Sequence, residues 1–188
     1  MKVILASKSP RRRELLARLV PEFEIITKET DESLPEGCDP CKGVELLAVR
    51  KGAAVAEDLP PDRLVVSSDT LVEVDGEPLG KPVDEAEAAA MLCRLSDRAH
   101  NVHTGVAIHY RGRVLSGVAT TSVRFRRLTD EDIKAYIASG EPMDKAGAYG
   151  IQGLGGKFVV GYDGDFDTVV GLSTALTRRL MERAVSDD

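Results

Sequence analysis

A carboxylate at the end of an apolar run is the first candidate for a chemical role in this chain. Leu64–Val66 is typical of a buried strand, and it is followed by two serines and then by Asp69. Asp75-Gly76 favours a two-residue hairpin turn, because these residue types accept positive φ angles. The turn predicts the cross-strand pairs Val74–Glu77, Val72–Leu79 and Thr70–Lys81. The pattern therefore places Lys81 beside Asp69.

The segment after the first predicted strand combines a helix start with three consecutive arginines. Ser7 and Ser9 precede the helix, and Ser9 is a favourable N-cap. Arg11, Arg12 and Arg13 put positive charge where the helix dipole disfavours it. A bound phosphate would remove this conflict, because backbone N–H groups and guanidinium groups would both face it. The alternative is a solvated basic turn with some repulsion.

Lys51 is a charged residue on the apolar face of a helix predicted over residues 43–58. On a helical wheel it lies among Val44 and Leu47, where an unpaired ammonium would be costly to bury. Two interpretations stay open. The side chain either extends to water along the helix surface, or it points into a cleft beside Asp69.

Two carboxylates, Asp31 and Glu32, follow the second predicted strand. Carboxylates in such a position are well placed to hold Mg²⁺ over a polyphosphate. An acidic loop is also a common form of solvated surface, so the spacing alone does not decide between the two.

A glycine-rich segment over residues 143–156 predicts a loop whose backbone approaches a ligand closely. It carries Lys145 and Gln152, and the Gln152 amide both donates and accepts hydrogen bonds, which suits the edge of a nucleobase. The glycine spacing is not a dinucleotide fingerprint, because no predicted strand leads into it and no helix follows.

The C-x-x-C motif of Cys38 and Cys41 has two possible uses, in a metal site or in a redox pair. The three histidines do not supply a second ligand pair at matching spacing, and a loop rather than an apolar strand precedes the motif. We therefore predict ordinary loop cysteines.

Apolar periodicity and turn residues predict a mixed α/β or α+β domain built on a mixed sheet, because strands and helices do not alternate regularly. Residues 1–188 contain no linker and are expected to form one domain, with two lobes. The other predicted strands are 2–6, 23–26, 101–110, 114–126, 158–162 and 166–170, and the other predicted helices are 11–19, 84–95, 129–139 and one that starts at Ser173.

Composition excludes several classes of protein. A net charge of -6 and an aromatic content of 4% argue against a general nucleic-acid binder. No apolar run is long enough to span a bilayer, and three cysteines without framework spacing fit a reducing compartment, so a cytoplasmic location is expected. The candidate site residues, taken by themselves, combine several arginines and lysines with a few carboxylates and a glycine-rich loop. This combination indicates metal-assisted hydrolysis of a nucleotide or polyphosphate.

Four motifs occur in order along the chain: Leu5-Ala6-Ser7-Lys8-Ser9-Pro10-Arg11-Arg12, Ser68-Asp69-Thr70, Leu79-Gly80-Lys81-Pro82 and Met143-Asp144-Lys145-Ala146-Gly147-Ala148-Tyr149-Gly150-Ile151-Gln152-Gly153. Together they resemble the motifs of the Maf family of nucleoside triphosphate pyrophosphatases. The resemblance implies the Maf/inosine-triphosphatase-like fold, an elongated mixed sheet with flanking helices and a central cleft. It also implies a homodimer and hydrolysis between the α and β phosphates, giving a nucleoside monophosphate and pyrophosphate.

The resemblance also implies roles for particular residues. Glu32, Lys51, Asp69 and Lys81 form the implied catalytic group, with Asp69 as the proton acceptor. A divalent metal, usually Mg²⁺, is implied as cofactor, with Asp69 and Glu32 as its ligands. The residues implied to bind substrate are Ser7, Ser9, Arg11, Arg12, Thr70, Lys145 and Gln152.

The glycine-rich loop is similar to that of the branch acting on dTTP and UTP. Ser67-Ser68 departs from the Gly-Ala of many relatives, and Arg13 extends the arginine pair. Two alternatives remain open at this point. One is a pyrophosphatase for inosine or other non-standard purine triphosphates, and the other is a non-catalytic nucleotide-binding regulator of septum formation.

Overall fold

The structure is a computed structural model that describes residues 2–186 of the chain. Its strands are β1 (Lys2–Leu5), β2 (Glu24–Ile25), β3 (Arg63–Val74), β4 (Glu77–Leu79), β5 (Ala99–Tyr110), β6 (Arg113–Phe125) and β7 (Val159–Asp163). Its α-helices are α1 (Pro10–Ala17), α2 (Pro40–Ala56), α3 (Glu85–Leu95), α4 (Asp130–Ile137), α5 (Phe166–Val170) and α6 (Thr174–Ser186). Three 3₁₀ helices span Glu141–Asp144, Ala146–Ala148 and Leu154–Phe158.

The described strands form one seven-stranded mixed sheet, which confirms the predicted fold class. The order is β2-β1-β3-β5-β6-β7, and β4 pairs with β3 outside this path. Strand β1 runs parallel to β2 and β3, whereas the remaining pairs are antiparallel. Helix α2 packs on one face of the sheet, and α1, α5 and α6 pack on the other. Residues that alternate along β3 therefore face different layers of the molecule.

The hairpin between β3 and β4 forms as its turn chemistry predicts. Asp75 and Gly76 have φ angles of 58° and 79°. Val74 pairs with Glu77 and Val72 with Leu79, in the predicted register. Strand β4 ends at Leu79, so the third predicted pair, between Thr70 and Lys81, does not belong to the ladder.

Two local predictions are wrong. Residues 166–170 form helix α5 rather than a strand, because the Asp165 carboxylate accepts a hydrogen bond from Asp167 N at 3.0 Å and Gly171, at φ 128°, ends the helix. Helix α2 begins at Pro40 rather than at residue 43, because the Asp39 carboxylate caps it by accepting from Lys42 N at 3.0 Å. Cys41 therefore lies in the first turn of a helix and not in a loop.

His100 makes stability depend on pH. It is 3% exposed and packs edge-on against Phe125 and Tyr149, and burial lowers its pKa to about 4. Between the unfolded pKa near 6.5 and the folded value, only the unfolded chain binds the proton. The free energy of unfolding therefore falls as pH decreases through this window, by up to about 3 kcal/mol.

We expect His100→Gln to reduce the slope of unfolding free energy against pH between neutral pH and pH 4.5, measured by urea titration. A residual slope is expected from His109, whose pKa is also lowered by burial. An unchanged slope in the variant would contradict this role of His100.

Candidate active site

Strands β1 and β4 pair with the same edge of β3 at different points along it, and the cleft lies at the gap between them. Strand β1 pairs with Arg63–Val66, and β4 pairs with Val72–Val74. Between these ranges, residues 67–71 of β3 have a described ladder partner only on the β5 side. The chain leaving β1 and the chain leaving β4 both approach this gap, and Asp69 lies in the middle of it.

The residues predicted as catalytic or substrate-binding all line one cleft of about 1260 Å³. The predicted catalytic group there is Glu32, Lys51, Asp69 and Lys81. The predicted substrate-binding residues there are Ser7, Ser9, Arg11, Arg12, Thr70, Lys145 and Gln152. Arg13, the third arginine of the run, is exposed and is not among the lining residues. Asp31, which was predicted with Glu32 to hold Mg²⁺, does not line the cleft: it is exposed, and its carboxylate accepts from Ser33 N and Ser33 Oγ at 2.8 Å.

Lys51 points into the cleft, which decides between its two interpretations. Its Nζ lies 2.5 Å from Asp69 Oδ1 and 2.8 Å from Glu32 Oε1. The side chains of Lys51 and Asp69 are only 18% and 14% exposed. The hydrogen bond from Lys51 holds the pKa of Glu32 below its usual value, although burial acts in the opposite direction. One ammonium thus joins two carboxylates that come from separate parts of the chain.

Arg12 lies on the α1 and α5 side of the sheet, opposite Lys51, and internal hydrogen bonds fix it there. Its Nε donates to the Gly171 carbonyl at 2.9 Å, and its Nη2 donates to Thr70 Oγ1 at 3.3 Å. Its Nη1 lies 3.4 Å from Ser7 Oγ. Burial lowers the pKa of Arg12, and the neighbouring Asp69 opposes that effect. The guanidinium is therefore held in place before any ligand binds.

The serine pair preceding Asp69 supports this arrangement. Ser68 Oγ donates to the Gly171 carbonyl at 2.9 Å, the same carbonyl that accepts from Arg12. Ser67 Oγ donates to the Ala48 carbonyl of α2 at 2.8 Å. The two serines thus connect β3 to the elements packed on its opposite faces.

Sequence reasoning missed two groups that shape the cleft. One is the carbonyl of Gly171, hidden because α5 was predicted as a strand. The other is Glu141, whose carboxylate accepts from Tyr136 Oη at 2.9 Å, Leu154 N at 2.9 Å and Gly155 N at 3.2 Å. These bonds anchor the turn that carries Gln152, and no local motif in the sequence indicates them.

The hairpin and the glycine-rich segment are tied together beside the cleft. Gly147 N donates to the Gly80 carbonyl at 3.0 Å, next to Lys81. Lys145 Nζ donates to the Glu141 carbonyl at 2.7 Å and to Asp144 Oδ1 at 2.6 Å. The side chain of Gln152 is exposed at the mouth of the cleft. The hairpin therefore brings Lys81, and the glycine-rich segment brings Lys145 and Gln152, to the lining of the same cleft.

Comparison with known proteins identifies the family. The sequence model of the family described as Maf-like protein matches residues 2–184. The chain belongs to the Maf-like family. Relatives named dTTP/UTP pyrophosphatase include those of Moorella thermoacetica, 51% identical over 96% of this chain and 93% of the relative, and of Bacillus velezensis, 50% identical over 96% and 95%. That of Vibrio cholerae is 44% identical over 97% of each chain.

The fold of this Maf-like chain also resembles a solved structure. The Staphylococcus aureus Ham1 protein superposes with a TM-score of 0.50 at 18% identity, covering 66% of this chain and 72% of that protein. Within residues 2–186, the Maf-like chain has no helix with the length and apolar character needed to cross a bilayer.

Proposed function

We propose that this chain is a nucleoside triphosphate pyrophosphatase that hydrolyses dTTP and UTP to the nucleoside monophosphate and pyrophosphate. The observation that carries the proposal is the Lys51 ammonium bound to both Asp69 and Glu32 within a cleft that Arg11, Arg12 and Lys81 also line. The names of the relatives that match over nearly the whole chain support the substrates.

The charges around the cleft suit a triphosphate. Arg11 lies in the first turn of α1, at the positive end of the helix dipole, which favours an anion. Ser9 Oγ caps this turn by accepting from Arg12 N at 3.4 Å. Arg12 follows β1 and Lys81 follows β4, the two strands that flank the gap in β3, and both residues line the cleft. An anion placed between them would offset their mutual repulsion, and cations in these positions stabilise the charge that develops on the phosphates during hydrolysis.

In the proposed reaction, Asp69 accepts the proton from the attacking water. Lys51 orients Asp69, because its ammonium holds one carboxylate oxygen at 2.5 Å and leaves the other to a water. Arg12 is kept rigid by Gly171 and Thr70, so that little ordering is needed when the phosphates bind.

We include Mg²⁺ in this proposal, held by Asp69 and Glu32. The donor set fits, because the Asp69 and Glu32 carboxylates both lie close to one point, the Lys51 ammonium. Carboxylate oxygens are the hard ligands that Mg²⁺ prefers. The described residues contain no group of three or more His, Cys, Asp or Glu side chains arranged for a metal, so substrate phosphates and water would complete the shell. When bound, the ion would neutralise phosphate charge.

Base selection is assigned to Thr70, Arg11 and Gln152. Gln152 can pair with the edge of a pyrimidine, and the loop that carries it is anchored by Glu141.

The proposal keeps the further expectations from the sequence: one domain over residues 1–188, a homodimer, a cytoplasmic location and no nucleic-acid ligand. The net charge of -6 supports the last of these.

A panel of nucleoside triphosphates assayed with Mg²⁺ tests the function. We expect dTTP and UTP to give pyrophosphate and the monophosphate, resolved by ion-exchange chromatography, with EDTA stopping the reaction. Preference for ITP over both pyrimidines would overturn the substrate assignment. Absence of pyrophosphate from every triphosphate would support a non-catalytic nucleotide-binding regulator instead.

A further inference from the structure

Two glycines of the glycine-rich segment lie directly against the side chains of Glu141 and Tyr136. A Cβ added at Gly153 would lie 2.4 Å and 2.5 Å from the two carboxylate oxygens of Glu141, and one added at Gly155 would lie 2.7 Å from Tyr136 Oη. The backbone can therefore fold closely around this carboxylate and phenol only because these positions are glycine. The close approach that the sequence predicted for a ligand is made, at these two glycines, to protein side chains.

Hydrogen bonds run from the same turn to these two side chains. Gly150 N donates to Tyr136 Oη at 3.0 Å, and that hydroxyl donates to Glu141 Oε1 at 2.9 Å. Leu154 N donates to Glu141 Oε2 at 2.9 Å, and Gly155 N donates to Oε1 at 3.2 Å. One carboxylate and one phenol thus hold the turn at both of its ends.

Glu141 and Tyr136 have the protonation states that this arrangement needs. Burial raises the pKa of Glu141, but the hydrogen bonds from two backbone N–H groups and from Tyr136 outweigh burial, so the pKa lies below its usual value. Burial also raises the pKa of the Tyr136 phenol. At neutral pH an ionised carboxylate therefore accepts from these donors, and the phenol keeps the hydrogen that it donates.

The anchored turn directs its two central side chains differently. The Gly150 carbonyl accepts from Gly153 N at 3.2 Å, so Ile151 and Gln152 are the central residues of the turn. Ile151 packs against the two larger hydrophobic clusters of the core, whereas Gln152 is exposed and lines the cleft. The packing of Ile151 and the bonds to Glu141 together give Gln152 a defined position at the mouth of the cleft.

We infer that Glu141 and Tyr136 are positioning residues for recognition of the nucleobase, and that they act by holding Gln152 over the cleft. The inference rests on the proposed function, in which Gln152 meets the edge of a pyrimidine. The residues proposed to bind the phosphates come from other elements, with Arg12 on α1 and Lys81 after β4. Loss of the anchor should therefore weaken binding of the base without weakening binding of the phosphates.

Isothermal titration calorimetry with EDTA present tests the inference without hydrolysis. The ligands are dTTP and inorganic tripolyphosphate, which carries three phosphates but no base. In Glu141→Gln an NH₂ group replaces one carboxylate oxygen and faces a backbone N–H whichever way the amide is turned. We expect dTTP to bind about tenfold more weakly, close to the effect of one hydrogen bond, and tripolyphosphate to bind no more weakly than before.

Glu131→Gln is the matched control. Glu131 is exposed on α4, the helix that also carries Tyr136, and it lies outside the lining of the cleft. This variant should bind both ligands as the unmodified chain does. Tyr136→Phe removes one bond to the carboxylate and one to Gly150 N, so it should weaken dTTP binding in the same selective way. It carries the test if Glu141→Gln does not fold.

Equal dTTP affinities in Glu141→Gln and the unmodified chain would overturn the inference. Equal losses of affinity for dTTP and tripolyphosphate would also overturn it, because they indicate a general loss of structure rather than a role in base recognition. If the unmodified chain binds dTTP but releases no pyrophosphate with Mg²⁺, the proposed function fails, and the binding comparison still decides the role of Glu141 and Tyr136.

Discussion

Replacing Asp69 with asparagine is expected to lower kcat for dTTP hydrolysis by at least about a thousandfold, because the proposed proton acceptor is removed. Asparagine has nearly the shape of aspartate, so the packing of β3 is retained. Lys51 keeps its contact with Glu32 at 2.8 Å, and the ammonium is not left without a carboxylate. Release of pyrophosphate under saturating dTTP and Mg²⁺ is the measurement, with circular dichroism to verify the fold.

Asp75→Asn is the matched control for this experiment. It makes the same chemical change in the same hairpin, but Asp75 is exposed, pairs with Arg98 and lies outside the lining of the cleft. Its φ of 58° is one that asparagine also accepts. We expect full activity from the control. An Asp69→Asn enzyme with more than a tenth of the original kcat would refute the assigned role of Asp69.

Replacing Gly105 with alanine is expected to reduce both stability and activity. An added Cβ would lie 2.4 Å from the Val44 carbonyl oxygen and 2.9 Å from Glu45 Cα, both backbone atoms of α2. Backbone atoms of a helix cannot move aside singly, so the whole helix must shift away from the sheet. Overpacking of this kind costs about 1–3 kcal/mol. Lys51, which follows Val44 by two helical turns on the same face, would move with the helix.

The measurements are the urea dependence of unfolding and kcat/KM for dTTP. We expect a decrease in unfolding free energy of about 2 kcal/mol and a fall in kcat/KM of at least about tenfold, since small displacements of positioned groups are costly in rate. Gly117→Ala, on the adjacent strand, is the control. Its added Cβ would meet Leu176 at 3.4 Å, an ordinary contact. Equal free energies of unfolding for the two variants would show that the packing of α2 on the sheet does not require glycine at position 105.

Much of the candidate site could be predicted because its signals are local. The turn at Asp75-Gly76 fixes the register of its own hairpin, and the pairs Val72–Leu79 and Val74–Glu77 follow from counting. Some residues conflict with their own segment and so indicate a partner elsewhere. Arg11 and Arg12 place positive charge at a helix start, and Lys51 places an ammonium on the apolar face of a helix. The mixed sheet and the Maf-like family were likewise predicted, and both are confirmed.

Other features could not be predicted because they depend on distant parts of the chain. Thr168 and Val169 favour a strand by their branched side chains, but capping by Asp165 and the turn at Gly171 make residues 166–170 helical. Glu141 anchors backbone groups 13 and 14 residues away. Cys41 and His103 are separated by 62 residues and meet only because α2 packs on β5.

The sequence by itself determined the residue types of the site, the hairpin register and the helix start that presents the arginines, because turn, cap and periodicity signals act over a few residues. The tertiary structure alone decided where these pieces meet. The parallel alignment of β1 and the short length of β4 leave the gap in β3 in which Asp69 lies. Close packing of α2 at Gly105 then brings Lys51 to Asp69 and Cys41 to His103. Such contacts depend on the register and spacing of whole elements, which no single segment encodes.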